Sequence, residues 1–170
     1  MRALLVALAP VVSRAARRVL GRSHSDVDDV GQLALAAVVQ RLASFRGESS
    51  VAHFAERIAV YRALSLRRDA AARWRLEALA AHEGERVPAV GHEPDPGRAA
   101  LLLEALDALS PQQAETLTLH FLFDHTVTEI AAMSSVPAET VRSRLRLGKQ
   151  ALRERVQKDP RLAALREGWQ

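Results

Sequence analysis

Thr126 to Leu152 reads TVTEIAAMSSVPAETVRSRLRLGKQAL, the pattern of two helices joined by a tight turn. Thr126 and Glu129 form a T-x-x-E capping box, which satisfies orphan amides at a helix start. Val127, Ile130 and Ala131 mark the apolar face of a short helix. Ser134 to Pro137 carries the turn, because proline is tolerated at or before a first helical turn. In the second helix Val141, Leu145 and Leu152 are spaced by four and seven, which puts them on one face. Arg142, Arg144, Arg146 and Lys149, with Thr140 and Ser143, fill the remainder. A buried face backed by a cationic, hydrogen-bonding one suits a helix in the DNA major groove, where Arg and Lys meet phosphates and guanine edges. A basic amphipathic helix alone is as readily a solvated surface helix. The capped short helix, the tight turn and the basic helix in succession favour DNA.

The 170 residues suffice for one domain or two small helical ones, and 48% hydrophobic residues exclude wholesale disorder. Alanine, leucine and arginine dominate, which favours an all-α fold. The formal charge is +4 with a pI near 10.5, and the basic residues cluster, as attraction to a polyanion requires. The absence of cysteine excludes disulfides, thiolate chemistry and Cys-containing zinc sites, and fits a cytoplasmic protein. No apolar run is long enough to span a bilayer, so no membrane role is expected. MRALLVALAPVV has the length of a signal-peptide core, but arginines and no clear cleavage site follow it. It reads as a buried helix, with a cleaved signal as the alternative.

Upstream, Leu4, Leu5, Leu8, Val12, Ala15 and Val19 have helical spacing, with Pro10 expected to break or kink the helix. Ser25 is the expected cap of a second helix, whose first turn carries Asp26, Asp28 and Asp29. Its main face is Val27, Val30, Ala34, Val38 and Leu42. Leu33, Leu35 and Val39 lie off that face, and core burial is the favoured reading for them. A third helix, 51–79, has Val51, Phe54, Ile58 and Tyr61 as its inner stripe. Arg57, Arg62, Arg67, Arg68, Arg73 and Arg75 run along the rest, interleaved with Phe54, Tyr61 and Trp74. Such interleaving can hold unstacked bases, although spacing alone favours Phe54 and Tyr61 as core. Residues 80–97 hold three prolines and three glycines without helical period, and read as a flexible linker. They would separate an N-terminal domain, 1–79, from a C-terminal one, 98–157, with a tail at 158–170. Asp95 with Pro96, and Ser110 with Pro111 and Gln113, look like helix caps in the second domain.

No phosphate loop, H-E-x-x-H or G-x-S-x-G is present, so neither an enzyme nor a cofactor is expected. The six histidines are scattered, and His82 and His92 in the linker are too isolated for a metal site.

Two DNA-facing helical domains on a linker resemble the extracytoplasmic-function (ECF) sigma factors, which keep only the second and fourth conserved sigma regions. LSPQQAETLTLHFLFDHTVTEIAAMSSVPAETVRSRLRLGKQALRE is similar to the fourth region throughout. ALAPVVSRAARRVLG, DVDDVGQ and LASFRGESSVAHFAERIAVYRALSLRR follow the second region in order. The resemblance implies binding to core RNA polymerase and to promoter DNA, control by an anti-sigma factor, and a monomer when free. It implies that Glu139, Thr140, Arg142, Ser143, Arg144, Arg146 and Lys149 face the upstream, minus-thirty-five element. Phe54, where the family has Trp, and Arg57, Tyr61, Arg62, Arg67 and Arg68 would approach the downstream, minus-ten element. Asp28, Asp29 and Gln32 match the part that docks on the polymerase clamp helices. Gly31, Leu33, His53, Ala55, Glu56 and Tyr61 depart from the usual pattern. Ser135 replaces the turn glycine, at a position that tends to need positive φ, and Gly148 interrupts the recognition helix. The rival readings are an operator-binding regulator with a helix-turn-helix, and a sigma-like decoy that binds an anti-sigma partner.

Overall fold

The apolar spacing is realised as helices in the residues that a computed structural model describes, 1–80 and 104–158, without the side chains of 74, 75 and 77–80. Helix α1 is Arg2–Leu20, α2 Val27–Leu42 and α3 Val51–Ala80. Residues 104–107 are helical, and α4 (Pro111–Phe121), α5 (Val127–Ser134) and α6 (Ala138–Lys158) follow. No strand occurs among the described residues. The fold is the all-α one that composition favours. The remainder of the expected linker with His82, His92 and the Asp95–Pro96 cap, the side chain of Trp74, and the tail beyond Lys158 lie outside the described residues.

Helices α1, α2 and α3 pack on one another through Leu8, Val12, Ala15 and Val19, Val27, Val30, Ala34 and Val38, and Ala55, Ile58, Ala59 and Leu64, all buried. Helices α4, α5 and α6 enclose Ala114, Leu117, Leu119, Ile130, Met133, Val141, Leu145 and Leu152. Each fully buried Leu, Ile or Val contributes roughly 1.5–3 kcal/mol of hydrophobic stabilisation. Helix α3 also packs against α4 and α5, so the two cores meet across it.

Several local expectations are corrected. Of the break or kink expected at Pro10, the break does not occur, since α1 runs through Pro10 without ending. The bond lost there belongs to the carbonyl of Val6, and both residues are exposed, where water can replace the missing donor. Ser25 does not cap α2. The N-cap is Asp26, and the Ser25 hydroxyl donates to Asp26 Oδ1 at 2.9 Å, while the Asp26 N–H donates to His24 Nδ1 at 3.2 Å. Leu33 is 56% exposed rather than buried. The inner stripe of α3 is not the single row expected: Tyr61 is 40% exposed, whereas Ala55, Ala59, Ala63 and Leu64 are buried. Small residues dominate because α3 is covered on two sides, by α1 and α2 and by α4 and α5.

Candidate nucleic-acid interface

The helix-turn-helix is built as its capping residues dictate. The Glu129 N–H donates to Thr126 Oγ1 at 3.2 Å, and the Thr126 N–H returns a bond to Glu129 Oε2 at 2.8 Å. The Thr126 N–H first, and then the Thr126 hydroxyl, which donates to the same Oε2 at 2.7 Å, hold the Glu129 carboxyl below its ordinary value. Ser110 and Gln113 make the same reciprocal box at the start of α4, with a neutral side chain in place of the carboxylate. The turn closes at Ser135, which is left-handed at φ 51 and ψ 44, and the Val136 N–H donates to the Ala131 carbonyl at 3.2 Å.

Helix α6 buries Val141, Leu145, Gly148 and Leu152. Its candidate DNA-facing residues fall into two groups. Arg142 and Arg146 are exposed, as is Arg153 at the same helical register, which the sequence reading passed over. Thr140, Ser143, Arg144 and Lys149 are half-buried. Arg142 pairs with the exposed Glu139 at 3.1 Å, a contact that phosphate can displace for a few tenths of a kcal/mol. The Lys149 ammonium lies 4.8 Å from the centre of the Phe121 ring. Arg144 is close enough to Glu115 of α4 to favour its ionised form, as are Arg57 and Arg41. Burial is the larger effect and pushes the Glu115 carboxyl up.

Along α3 the expected downstream residues are placed differently from one another. Tyr61 and Arg62 are exposed neighbours. Phe54 is half-buried, its ring 4.9 Å from that of Phe45, so it packs as the spacing suggested. Arg68 Nε–H donates to the Leu64 carbonyl of its own helix at 3.4 Å. Arg57 and Arg67 meet the C-terminal half. Arg57 Nε is 2.9 Å from Glu115 Oε1, and its Nη1 donates to the Met133 carbonyl at 3.3 Å. Arg67 Nη2 is 3.6 Å from Asp107 Oδ2; burial lowers the Arg67 pKa and Asp107 partly restores it. Beside them His125 Nε2 is 2.6 Å from Glu56 Oε2. Glu56, Asp107, Glu115 and His125 had no signal in the sequence, since nothing in a helical period says which carboxylate will meet an arginine of another domain. On α2, Asp28, Asp29 and Gln32 are exposed, with the exposed Leu33 beside them.

Comparison with known proteins agrees with this geometry. The family Sigma-70, region 4 matches residues 99–152, and Sigma-70 region 2 matches residues 4–73. Together the matches take in α1 to α3, up to residue 73, and α4 to α6, up to residue 152. No curated protein sequence matches significantly. Among solved structures, the chain is similar to the sigma factor RpoE of Bartonella quintana, solved in complex with the anti-sigma factor NepR. The identity is 20% and the TM-score 0.51, over 93% of this chain and 97% of that one. With the second region on the α1–α3 bundle and the fourth on the helix-turn-helix, the chain belongs to the sigma-70 family and carries the pair of regions that extracytoplasmic-function sigma factors keep.

Proposed function

We propose that this sigma factor binds core RNA polymerase through the exposed acidic surface of α2 and reads promoters through α6 and α3. The observation that carries the promoter reading is the exposed row of Arg142, Arg146 and Arg153 on a helix whose opposite face is buried. In this reading Glu139, Thr140, Arg142, Ser143, Arg144, Arg146 and Lys149 meet the upstream element as duplex, where guanidinium groups pair with phosphates or guanine edges. Tyr61 and Arg62, joined by Phe54, Arg57, Arg67 and Arg68, meet the melted downstream element, where aromatic faces and cations hold unstacked bases. Asp28, Asp29 and Gln32 dock on the polymerase. The work is cytoplasmic, where polymerase and promoters are. An anti-sigma protein regulates it, as NepR is bound to the similar RpoE.

Transcription in vitro tests the reading. Arg144→Ala with Arg146→Ala abolishes promoter-specific initiation and leaves polymerase binding intact, because the two tasks lie on different helices. Undiminished initiation from the double variant contradicts the assignment of α6.

A further inference from the structure

Glu139 is the one acid among residues 138–153 of α6, and it stands on the exposed side of that helix. It lies three residues before Arg142 and seven before Arg146, so it heads their outward row. Its side chain is 82% exposed, and among the described residues its polar partner is Arg142, whose Nη1 donates to Glu139 Oε2 at 3.1 Å. A carboxylate in this row is repelled by the same phosphates that the arginines attract. Two local roles account for an acid in a first helical turn: it opposes the helix dipole, and it pairs with the base three residues on. Both roles lower DNA affinity and leave sequence preference untouched.

A third role follows from the chemistry of the major groove. The donors on its base edges are the amino groups at cytosine N4 and adenine N6. Adenine sets its N7 acceptor beside N6, where it repels the second oxygen of a carboxylate. Cytosine sets no acceptor of its own beside N4. Across the base pair, N4 adjoins guanine O6 and N7, the two acceptors that a guanidinium fork fits. A G·C edge therefore offers a donor next to acceptors. Glu139 and Arg142 present the complement, an acceptor next to donors, already side by side at 3.1 Å. A guanidinium has five N–H donors, so the bond to Glu139 leaves Arg142 a fork for guanine.

We propose that Glu139 and Arg142 read one G·C base pair of the upstream element as a unit, Glu139 accepting from cytosine N4 and Arg142 donating to guanine O6 and N7. Glu139 is then a specificity residue: it weakens binding to DNA in general and restores it at this pair alone. This deepens, and rests on, the reading of α6 as the helix that meets the upstream element.

The test uses the full chain bound to core RNA polymerase and a library of duplexes randomised across the upstream element. Sequencing of the bound fraction reads the preference at each position. The native complex should prefer cytosine, paired with guanine, at one position by about tenfold. Glu139→Ala should abolish that preference, keep those at other positions, and tighten binding to duplexes that lack the G·C pair. Glu139→Gln should shift the same position towards adenine, whose N6 and N7 a side-chain amide fits. Arg142→Ala should relax that position too, and the double alanine variant should lose less there than the sum of the single losses. Circular dichroism checks that α6 persists. Should Glu139→Ala lower the helix content, Glu139→Gln, which keeps shape and the bond to Arg142, carries the test. A change in affinity that is uniform across the library overturns the proposal and leaves Glu139 as a dipole and pairing residue. Losses at two different positions overturn the shared base pair. A native complex with no preference at any upstream position overturns the reading of α6 itself, and the proposal with it.

Discussion

Gly148 of α6 faces Leu117 of α4 so closely that a Cβ at 148 would lie 2.8 Å from Leu117 Cδ1. Glycine inside a helix costs roughly 1 kcal/mol relative to alanine. Here the missing side chain lets the recognition helix settle onto its support. Gly148→Val should therefore destabilise the protein by about 1–3 kcal/mol through overpacking, measured by denaturant unfolding. Unchanged stability would mean that α4 and α6 can separate without loss.

Ser135 closes the helix-turn-helix at φ 51, a conformation that costs an L-residue about 1–2 kcal/mol. Ser135→Gly should relieve that strain, offset in part by the greater freedom of glycine in the unfolded chain. The expected net gain is about 0.5 kcal/mol, seen as a small rise in Tm. A fall in Tm would show that the Ser135 side chain does something else.

Two glutamates should titrate in opposite directions. Glu129 is held below the ordinary 4.5 by the Thr126 cap. Its stabilising contribution is complete above that value and is lost as pH falls through the lowered one. Glu115 is raised above 4.5 by burial, so its contribution is complete below 4.5 and is lost as pH rises through the raised value. Carboxyl-carbon NMR should place the two midpoints on either side of 4.5. Glu129→Gln, which copies the neutral box of Ser110 and Gln113, should remove the acid-side loss. An acid limb that survives the substitution would assign it to another group.

Asp29 is exposed in the first turn of α2, one turn before the exposed Leu33. Asp29→Arg should weaken binding to core polymerase while costing less than about 1 kcal/mol of stability, mostly from the helix dipole. Equal affinity in a titration would move the docking surface elsewhere.

The sequence was most informative where structure is local. The two capping boxes, the turn at Ser135 and the buried row Val141, Leu145 and Leu152 all follow from spacing within one helix or turn. Legibility failed where a second element decides. Tyr61 belongs to the row of Ile58 by period, yet it is exposed, because α3 is covered from two directions and not from the one a single stripe implies. Leu33 was assigned to the core on apolar character alone. Ser25 lost the cap to geometry that includes the His24 ring. Gly148 read as a defect because its partner, Leu117, lies 31 positions away. For the same reason the ion pairs across the halves were invisible: Glu115 and Arg57 are 58 residues apart in the chain.

Binding to core RNA polymerase, followed by initiation from a library of promoter sequences, tests the central claim most directly. The account predicts tight binding of the purified chain and transcription from a defined set of promoters that share an upstream and a downstream element. It predicts a steep loss of DNA contact with salt, since arginines displace condensed counterions. DNA binding by the chain alone, with no affinity for polymerase, would contradict it.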